Sequence, residues 1–274
     1  MNSLENQSAS KQSAPKLAIV TGASAGIGLV YAQELAREGY SLALCARRVD
    51  KLKELSEELE TLYGIEVYTE KVDLLDKAAR RKFYRRATED TKPQLLVNNA
   101  GFGSVSKFAE TNIERELDMV GLNCQALLDL SHMAFADMRE QGSGSIINVA
   151  SIAAHQPITY MTTYAATKAF VHSFSQALAA EAMDFNVQVM SHCPGPTESE
   201  FHLVSGLSEK MNHLSSMTAL EVVRQALQAE KRKNWVCING LKNKFLAFTG
   251  KVTPGPIAAR ITKKVLFQNV NSKK

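Results

Sequence analysis

The stretch "KLAIVTGASAGIGLVYAQELAREG", residues 16–39, decides the fold. It opens on a continuous run of aliphatic residues, the pattern of a strand buried on both faces. "TGASAGIG" (21–28) interrupts that run, and from Gly26 onward the apolar residues recur at helical spacing. A strand, a glycine-rich turn and a helix therefore follow one another without a break. Gly22, Gly26 and Gly28 stand as G-x-x-x-G-x-G, a longer relative of the G-x-G-x-x-G fingerprint. Such a turn brings backbone close to a pyrophosphate at a helix N-terminus, where Cβ atoms would obstruct and free N–H groups attract. Ser24 and Ile27 share the turn and join its glycines as candidate cofactor contacts. The alternative is that the glycines only end a strand.

Outward from this unit the alternation repeats. "SLALCA" (41–46), "IEVYTEKV" (65–72), "QLLVNN" (94–99), "SIINVAS" (145–151) and "VQVMSHC" (187–193) read as strands, and "NWVCING" (234–240) as a possible last one. Helical patterns fill roughly 26–39, 50–63, 76–90, 112–140, 164–185 and 219–232. Strand and helix in alternation imply right-handed crossovers and a parallel sheet covered on both faces. The fold expected is a single doubly wound α/β domain over residues 16–240. A polar leader, 1–15, precedes it, a lid lies near 196–217, and a basic extension, 241–274, follows.

Composition narrows the class. At 274 residues, 45% hydrophobic and 22% charged, the chain reads as an ordinary globular protein. No apolar run reaches the roughly 18–20 residues that span a bilayer. "MNSLENQSASKQSAP" has neither a basic nor an apolar signal region, so no signal peptide is expected. The four cysteines are far apart and three lie in apolar runs, which fits a reduced, cytoplasmic protein. No cysteine or histidine spacing suggests a metal, and none is expected. From Lys231 to the end there are eleven Lys and Arg and no acid, leaving 21 basic against 28 acidic side chains before it, a balance of −7. Such a tail suits a surface or a partner, or is simply solvated. Nucleic acid is not an expected partner.

The second strand ends in "CARRVD", with Arg47 and Arg48 where an NAD enzyme keeps a carboxylate for the ribose 2′-OH. The arginine fork suits a 2′-phosphate, so NADP(H) is favoured; the alternative is a pair of solvated helix-start arginines. Asp73 follows the third strand, positioned for an adenine amino group or as the cap of the next helix. In "NNAG" (98–101), Asn98 and Asn99 brace backbone while Ala100 and Gly101 let the chain pass the cofactor.

"SIAAHQPITYMTTYAATKAF" (151–170) sets Tyr164 thirteen residues after Ser151 and Lys168 one helical turn later. Residues four apart share a helix face, so the phenol and the ammonium sit side by side. TGxxxGxG, NNAG, a strand-end serine, YxxxK and a following PG, in that order over about 16–200, resemble the short-chain dehydrogenase/reductase family. The "CARR", "YAATK" and "CPGPTESEF" segments are most similar to an NADP-preferring bacterial branch akin to ketoacyl and ketosteroid reductases.

The resemblance implies a Rossmann-type enzyme that reduces a ketone or aldehyde with NADPH. Tyr164 would be the general acid, its pKa lowered from about 10 by Lys168 and the oxidised nicotinamide. Lys168 would also hold the nicotinamide ribose, and Ser151 the substrate oxygen, although a serine there also suits a helix cap. Asn123 in "VGLNCQA" would keep a water on Lys168. Pro194, Gly195 and Thr197 would close on the nicotinamide. Phe102, His155 and Phe201 are candidates for an apolar pocket, with His155 a bystander to the acid chemistry. The family commonly forms homodimers or homotetramers through its fifth and sixth helices. The alternatives are a 3-oxoacyl reductase of lipid synthesis, a non-catalytic NADP(H)-binding regulator, or a membrane-surface adaptor working through the tail.

That tail carries Leu241, Phe245 and Phe248, and then Ile257, Ile261 and Val265 after Pro254 and Pro256. Two amphipathic stretches follow, each with a stripe that needs a cover: the domain itself, a second subunit or, less favoured, a lipid surface.

Overall fold

The computed structural model describes residues 16–198, 200, 205 and 217–271, with side chains to 267. The leader 1–15, Phe201 and most of the lid 196–217 lie outside the described residues.

Seven parallel strands form one sheet: β1 (Lys16–Thr21), β2 (Tyr40–Ala46), β3 (Val67–Lys71), β4 (Pro93–Asn98), β5 (Gly144–Val149), β6 (Val187–Cys193) and β7 (Val236–Ile238). Their spatial order is β3-β2-β1-β4-β5-β6-β7. Winding reverses at β1, which pairs with β2 on one side and β4 on the other. A crevice opens at the carboxyl ends of strands where the order reverses, and that is where such sheets hold ligands.

The crossovers are α1 (Gly26–Arg37), α2 (Val49–Tyr63), α3 (Lys77–Ala87), α4 (Ile113–Val120), α5 (Leu127–Gln141), α6 (Thr162–Ala182) and α7 (Ala219–Lys231). Beyond the sheet lie α8 (Leu241–Val252) and α9 (Gly255–Asn271). Local chemistry sets their ends. Asp76 caps α3 by accepting from the N–H groups of Ala78 and Ala79, and Thr218 and Glu221 cap α7 reciprocally. The helix expected over 112–140 runs on unbroken from α4 into α5, with a π-helical turn, Gly121–Ala126, inserted between them.

Both sheet faces are apolar because both are covered. Val20, Leu44 and Val97 pack on one face with α1 and α7. Ile19, Leu96 and Ile146 pack on the other with α3, α5 and α6. Burying each such side chain contributes about 1.5–3 kcal/mol.

Several polar groups inside the core are paired, although Asn98 Oδ1 has no hydrogen-bond partner. Asn98 donates to Ser131 Oγ and Asn148 Oδ1, both at 2.9 Å, and Asn148 donates to Ser175 Oγ at 3.0 Å. On β6, the buried His192 lies with Nδ1 2.9 Å from the Tyr31 hydroxyl and Nε2 2.8 Å from Asn239 Oδ1. Asn239 spends its amide N–H on Val222 O, so its oxygen accepts from His192 Nε2 and the ring is neutral with Tyr31 donating to Nδ1.

Burial pushes His192 and His172 down to about 4. In the unfolded chain a histidine titrates near 6.5, so that state takes up protons first as pH falls. These folded pKa values are depressed, and the stability they contribute is therefore present above about pH 6.5 and is lost on descent toward 4. Glu230, raised by burial, opposes this near the bottom of the window. The stability of the protein should drop by on the order of 3 kcal/mol per histidine across the range. Urea unfolding at stepped pH values checks it, and a midpoint that holds level between pH 6.5 and 4.5 contradicts it.

Candidate active site

β1 hands its chain to the turn at 22–25 with Gly22 at φ 68° and Gly26 at φ 56°, a left-handed backbone that favours glycine. α1 then begins at an N-cap, Ala25, with no side chain accepting from its first N–H groups and no acid in its first turn. Those N–H groups and the positive helix end are left to face an anion. Gly28 is needed for a different reason, since a Cβ there would meet Asn99 Nδ2 at 2.3 Å and Gly22 O at 2.4 Å. Asn99 clamps the turn from β4, its Nδ2 donating to Thr21 O (3.0 Å) and Gly22 O (3.2 Å). Thr21 Oγ1 in return accepts from the Asn99 and Ala100 N–H groups, both at 3.0 Å.

One cavity of about 1270 Å³ runs from this turn to the end of β6. It is larger than the roughly 300–1,000 Å³ of a typical single-ligand pocket. Gly22, Ser24, Gly26, Ile27, Arg47 and Arg48 line one end with Asp73, Asn99, Ala100 and Gly101; Ser151, Tyr164, Lys168, Pro194, Gly195 and Thr197 line the other. Arg48 reaches the turn, with Nη2 3.2 Å from Ser24 Oγ, and also pairs with Glu200 at 2.8 Å. Asp73 does not cap α3. Its carboxylate accepts from the Leu75 N–H at 3.0 Å in an Asx turn, and Asp76 takes the cap.

At the far end, Ser151 is both a cap and a partner to the phenol. Its Oγ accepts from the Ala153 N–H at 3.1 Å, and it is hydrogen-bonded to Tyr164. Burial pushes Tyr164 up to about 12, with the Ser151 hydrogen bond pulling the other way. Lys168 does not lower the phenol as expected: its Nζ lies 5.8 Å from the ring centroid and donates to Val149 O at 2.7 Å. Its own pKa falls to about 8 through burial. The ammonium is anchored to the strand end, and burial holds the phenol protonated at neutral pH.

Asn123 lies in the π-helical turn, wholly buried, and outside the cavity lining. Its Nδ2 donates to Phe102 O and Thr167 Oγ1, both at 3.0 Å, while Oδ1 accepts from the Phe102 N–H at 3.1 Å. The amide thus ties the backbone after NNAG to α6, one residue before Lys168. Phe102 lines the cavity beneath the Arg115 guanidinium, 5.0 Å from its ring centroid. His155 does not line it. Its ring turns inward against His172, 4.5 Å between centroids, and neither nitrogen has a hydrogen-bond partner.

Sequence spacing missed three features. His155, His172 and Cys193 bring ligand-type atoms within 4.8 Å of one another, although no motif joins them. The π-helical turn left no trace beyond a slip in helical phase. Asn243 of α8 sits under Gly195, where a Cβ would meet its Nδ2 at 2.2 Å, so the tail supports the loop after β6.

An uncapped helix start sharing one cavity with a buried serine–phenol pair is the layout of nucleotide-dependent oxidoreductases. The family model for short chain dehydrogenase matches residues 16–208, and the chain belongs to the short-chain dehydrogenase/reductase family. It is 34% identical over 184 residues to a very-long-chain 3-oxoacyl-CoA reductase of Anas platyrhynchos, covering 65% of this chain and 58% of that protein. It covers 15% of another matched relative, so the chain spans only part of the first relatives' length. Among solved structures it resembles a short-chain dehydrogenase from Sphingobium yanoikuyae in complex with NADPH (28% identity, TM-score 0.79, 94% and 98% of the two chains). It also resembles the bulky-bulky ketone specific alcohol dehydrogenase from Comamonas testosteroni (28%, TM-score 0.74, 94% and 96%).

Proposed function

We propose that this chain is an NADPH-dependent reductase converting a ketone or aldehyde in a mostly apolar molecule to its alcohol, reversibly. The observation that carries the reading is the protonated Tyr164 phenol, bonded to Ser151, in the same cavity as the glycine-rich turn. The residues fit the cofactor: the start of α1 has no side-chain cap, its turn lines the cavity, Arg48 stands beside Ser24, and Arg47 lines the same end. The relative crystallised with NADPH supports the same choice.

When bound, NADPH supplies hydride to the carbonyl carbon. Ser151 holds the carbonyl oxygen beside the phenol, and Tyr164 gives that oxygen its proton. A phenol at about 12 is fully protonated at neutral pH, as an acid must be. Lys168, buried against Val149 O, would hold the nicotinamide ribose hydroxyls. Apolar lining from Phe102, Ile158, Met161 and Leu266 supports an apolar substrate. A 3-oxoacyl thioester is the second reading, favoured by similarity to the Anas platyrhynchos protein.

A homodimer or homotetramer built on α5 and α6 would cover the exposed Leu128 and Phe170. Four free, buried cysteines support a reducing compartment, the cytoplasm.

The test is NADPH and NADH consumption against a panel of apolar ketones, aldehydes and 3-oxoacyl thioesters. A charge-assisted hydrogen bond is worth about 1.5–3 kcal/mol. Arg48→Ala, and Arg47→Ala beside it, should then weaken NADPH binding by roughly one to two powers of ten and NADH binding little. A parent protein that binds NADH as tightly as NADPH overturns the cofactor assignment.

A further inference from the structure

We infer that α8 and α9 dock this protein on an anionic phospholipid surface, with the mouth of the cavity alongside. On α8 the face packed against the domain is small and polar: Asn243, Ala247 and Gly250 are buried. Gly250 sits so close that a Cβ would lie 3.1 Å from His155 O. The large apolar side chains point the other way. Leu241, Phe245, Phe248 and Val252 recur at four, three and four residues, one stripe roughly opposite the packed face, and are 62–84% exposed. At the same periodicity, Lys242 flanks that stripe on one side and Lys244 and Lys251 on the other.

On α9, Ala258 and Leu266 are buried while Ile257, Ile261 and Val265 form an outward stripe, 48–59% exposed, bordered by Arg260 and Lys264. Among the described residues, these two stripes are left largely exposed.

Charge decides between the remaining occupants. From 241 to 271 there are six lysines and arginines and no acid. A second copy packed face to face would set these cations against each other, whereas anionic headgroups complement them. Lysines flanking an apolar stripe keep their ammonium groups at headgroup level while the stripe enters the acyl boundary.

Ile261 and Val265 also line the cavity, so its edge is continuous with the lipid-facing stripe. Under the reductase reading, an apolar carbonyl compound would pass from the bilayer into the site without crossing water. The docking itself does not depend on that reading.

The experiment is co-sedimentation of the full chain with phosphatidylcholine vesicles, with and without phosphatidylglycerol, at low and high salt. The parent protein should bind the phosphatidylglycerol vesicles and lose roughly tenfold or more of that binding on pure phosphatidylcholine or in high salt. Phe245→Glu with Phe248→Glu, and separately Arg260→Gln with Lys264→Gln, should each lower binding to a similar degree. NADPH affinity and melting temperature, measured in parallel, should stay at parent values and so show that the variants are folded. No sedimentation of the parent with either vesicle overturns the proposal, as does unchanged binding in both variants. A parent that ignores vesicles but is an oligomer dissociated by Phe245→Glu with Phe248→Glu identifies the occupant as a second copy, which also overturns it. Failure of carbonyl reduction with vesicle binding intact would sink the reductase reading alone.

Discussion

Tyr164→Phe should leave NADPH affinity within a few-fold of the parent and cut turnover by on the order of 10²–10⁴, the usual weight of general acid–base catalysis. The substitution removes one oxygen and keeps the ring. That ring packs in a cluster with Val105, Met119, Ala153, Met161 and Leu266, so the shape of the site survives. Ser151 loses a partner but still accepts from the Ala153 N–H, and its orientation is retained. Lys168 is held by Val149 O rather than by the phenol, and so it too stays in place. The loss should therefore fall on kcat and not on cofactor binding, a split that stopped-flow turnover and a NADPH titration resolve. Turnover within a few-fold of the parent would mean that the proton comes from elsewhere.

Gly28→Ala should abolish useful cofactor binding, raising Kd by on the order of 10² or more, and should lower stability by about 1–3 kcal/mol, the usual cost of overpacking. The added methyl lies 2.3 Å from Asn99 Nδ2 and 2.4 Å from Gly22 O, and neither can yield cheaply. Asn99 is fixed by its bonds to Thr21 O and Gly22 O, and the Gly22 carbonyl belongs to the turn itself. Relief of the contact pushes α1 away from the turn, and the N–H groups that would meet the pyrophosphate go with it. Calorimetric titration with NADPH and a thermal melt measure the two effects. Parent-like affinity would show that the turn is not the phosphate cradle.

The parts of this molecule that were legible in the sequence are those that short-range chemistry fixes. Strands such as "LAIVT" are continuous aliphatic runs because both sheet faces are covered, and Gly22 and Gly26 mark a backbone no other residue adopts easily. Tyr164 and Lys168 stand one helical turn apart as their spacing predicts, and with Ser151 they line one cavity.

The electrostatics of that trio were not legible in this way. Whether Lys168 faces the phenol or the Val149 carbonyl depends on how α6 lies on β5, which no local pattern encodes. Asp73 reads as a cap on paper, yet the path of the chain gives the cap to Asp76. A position between Ser151 and Tyr164 points His155 at the pocket, yet the tight helical turn Ile152–His155 rotates it inward. The stripes of the tail were visible from their period, but a period says that a face needs a cover and not which one.

The order of the strands also sets a schedule for synthesis. β1 waits on β4 for its second neighbour, and Thr21 meets Val97, 76 residues further along. At about 5–20 residues per second, a ribosome takes roughly 4–15 seconds to deliver that partner. Throughout that interval the nascent chain carries a bare, aliphatic strand edge, ready to accept a strand from any neighbour. Helices α1 and α2 can form within microseconds and shelter the faces of β1 and β2, but they leave the row of unpaired amides open. The newborn chain is therefore most vulnerable to aggregation just before its fourth strand emerges, and a chaperone has most to protect at that length.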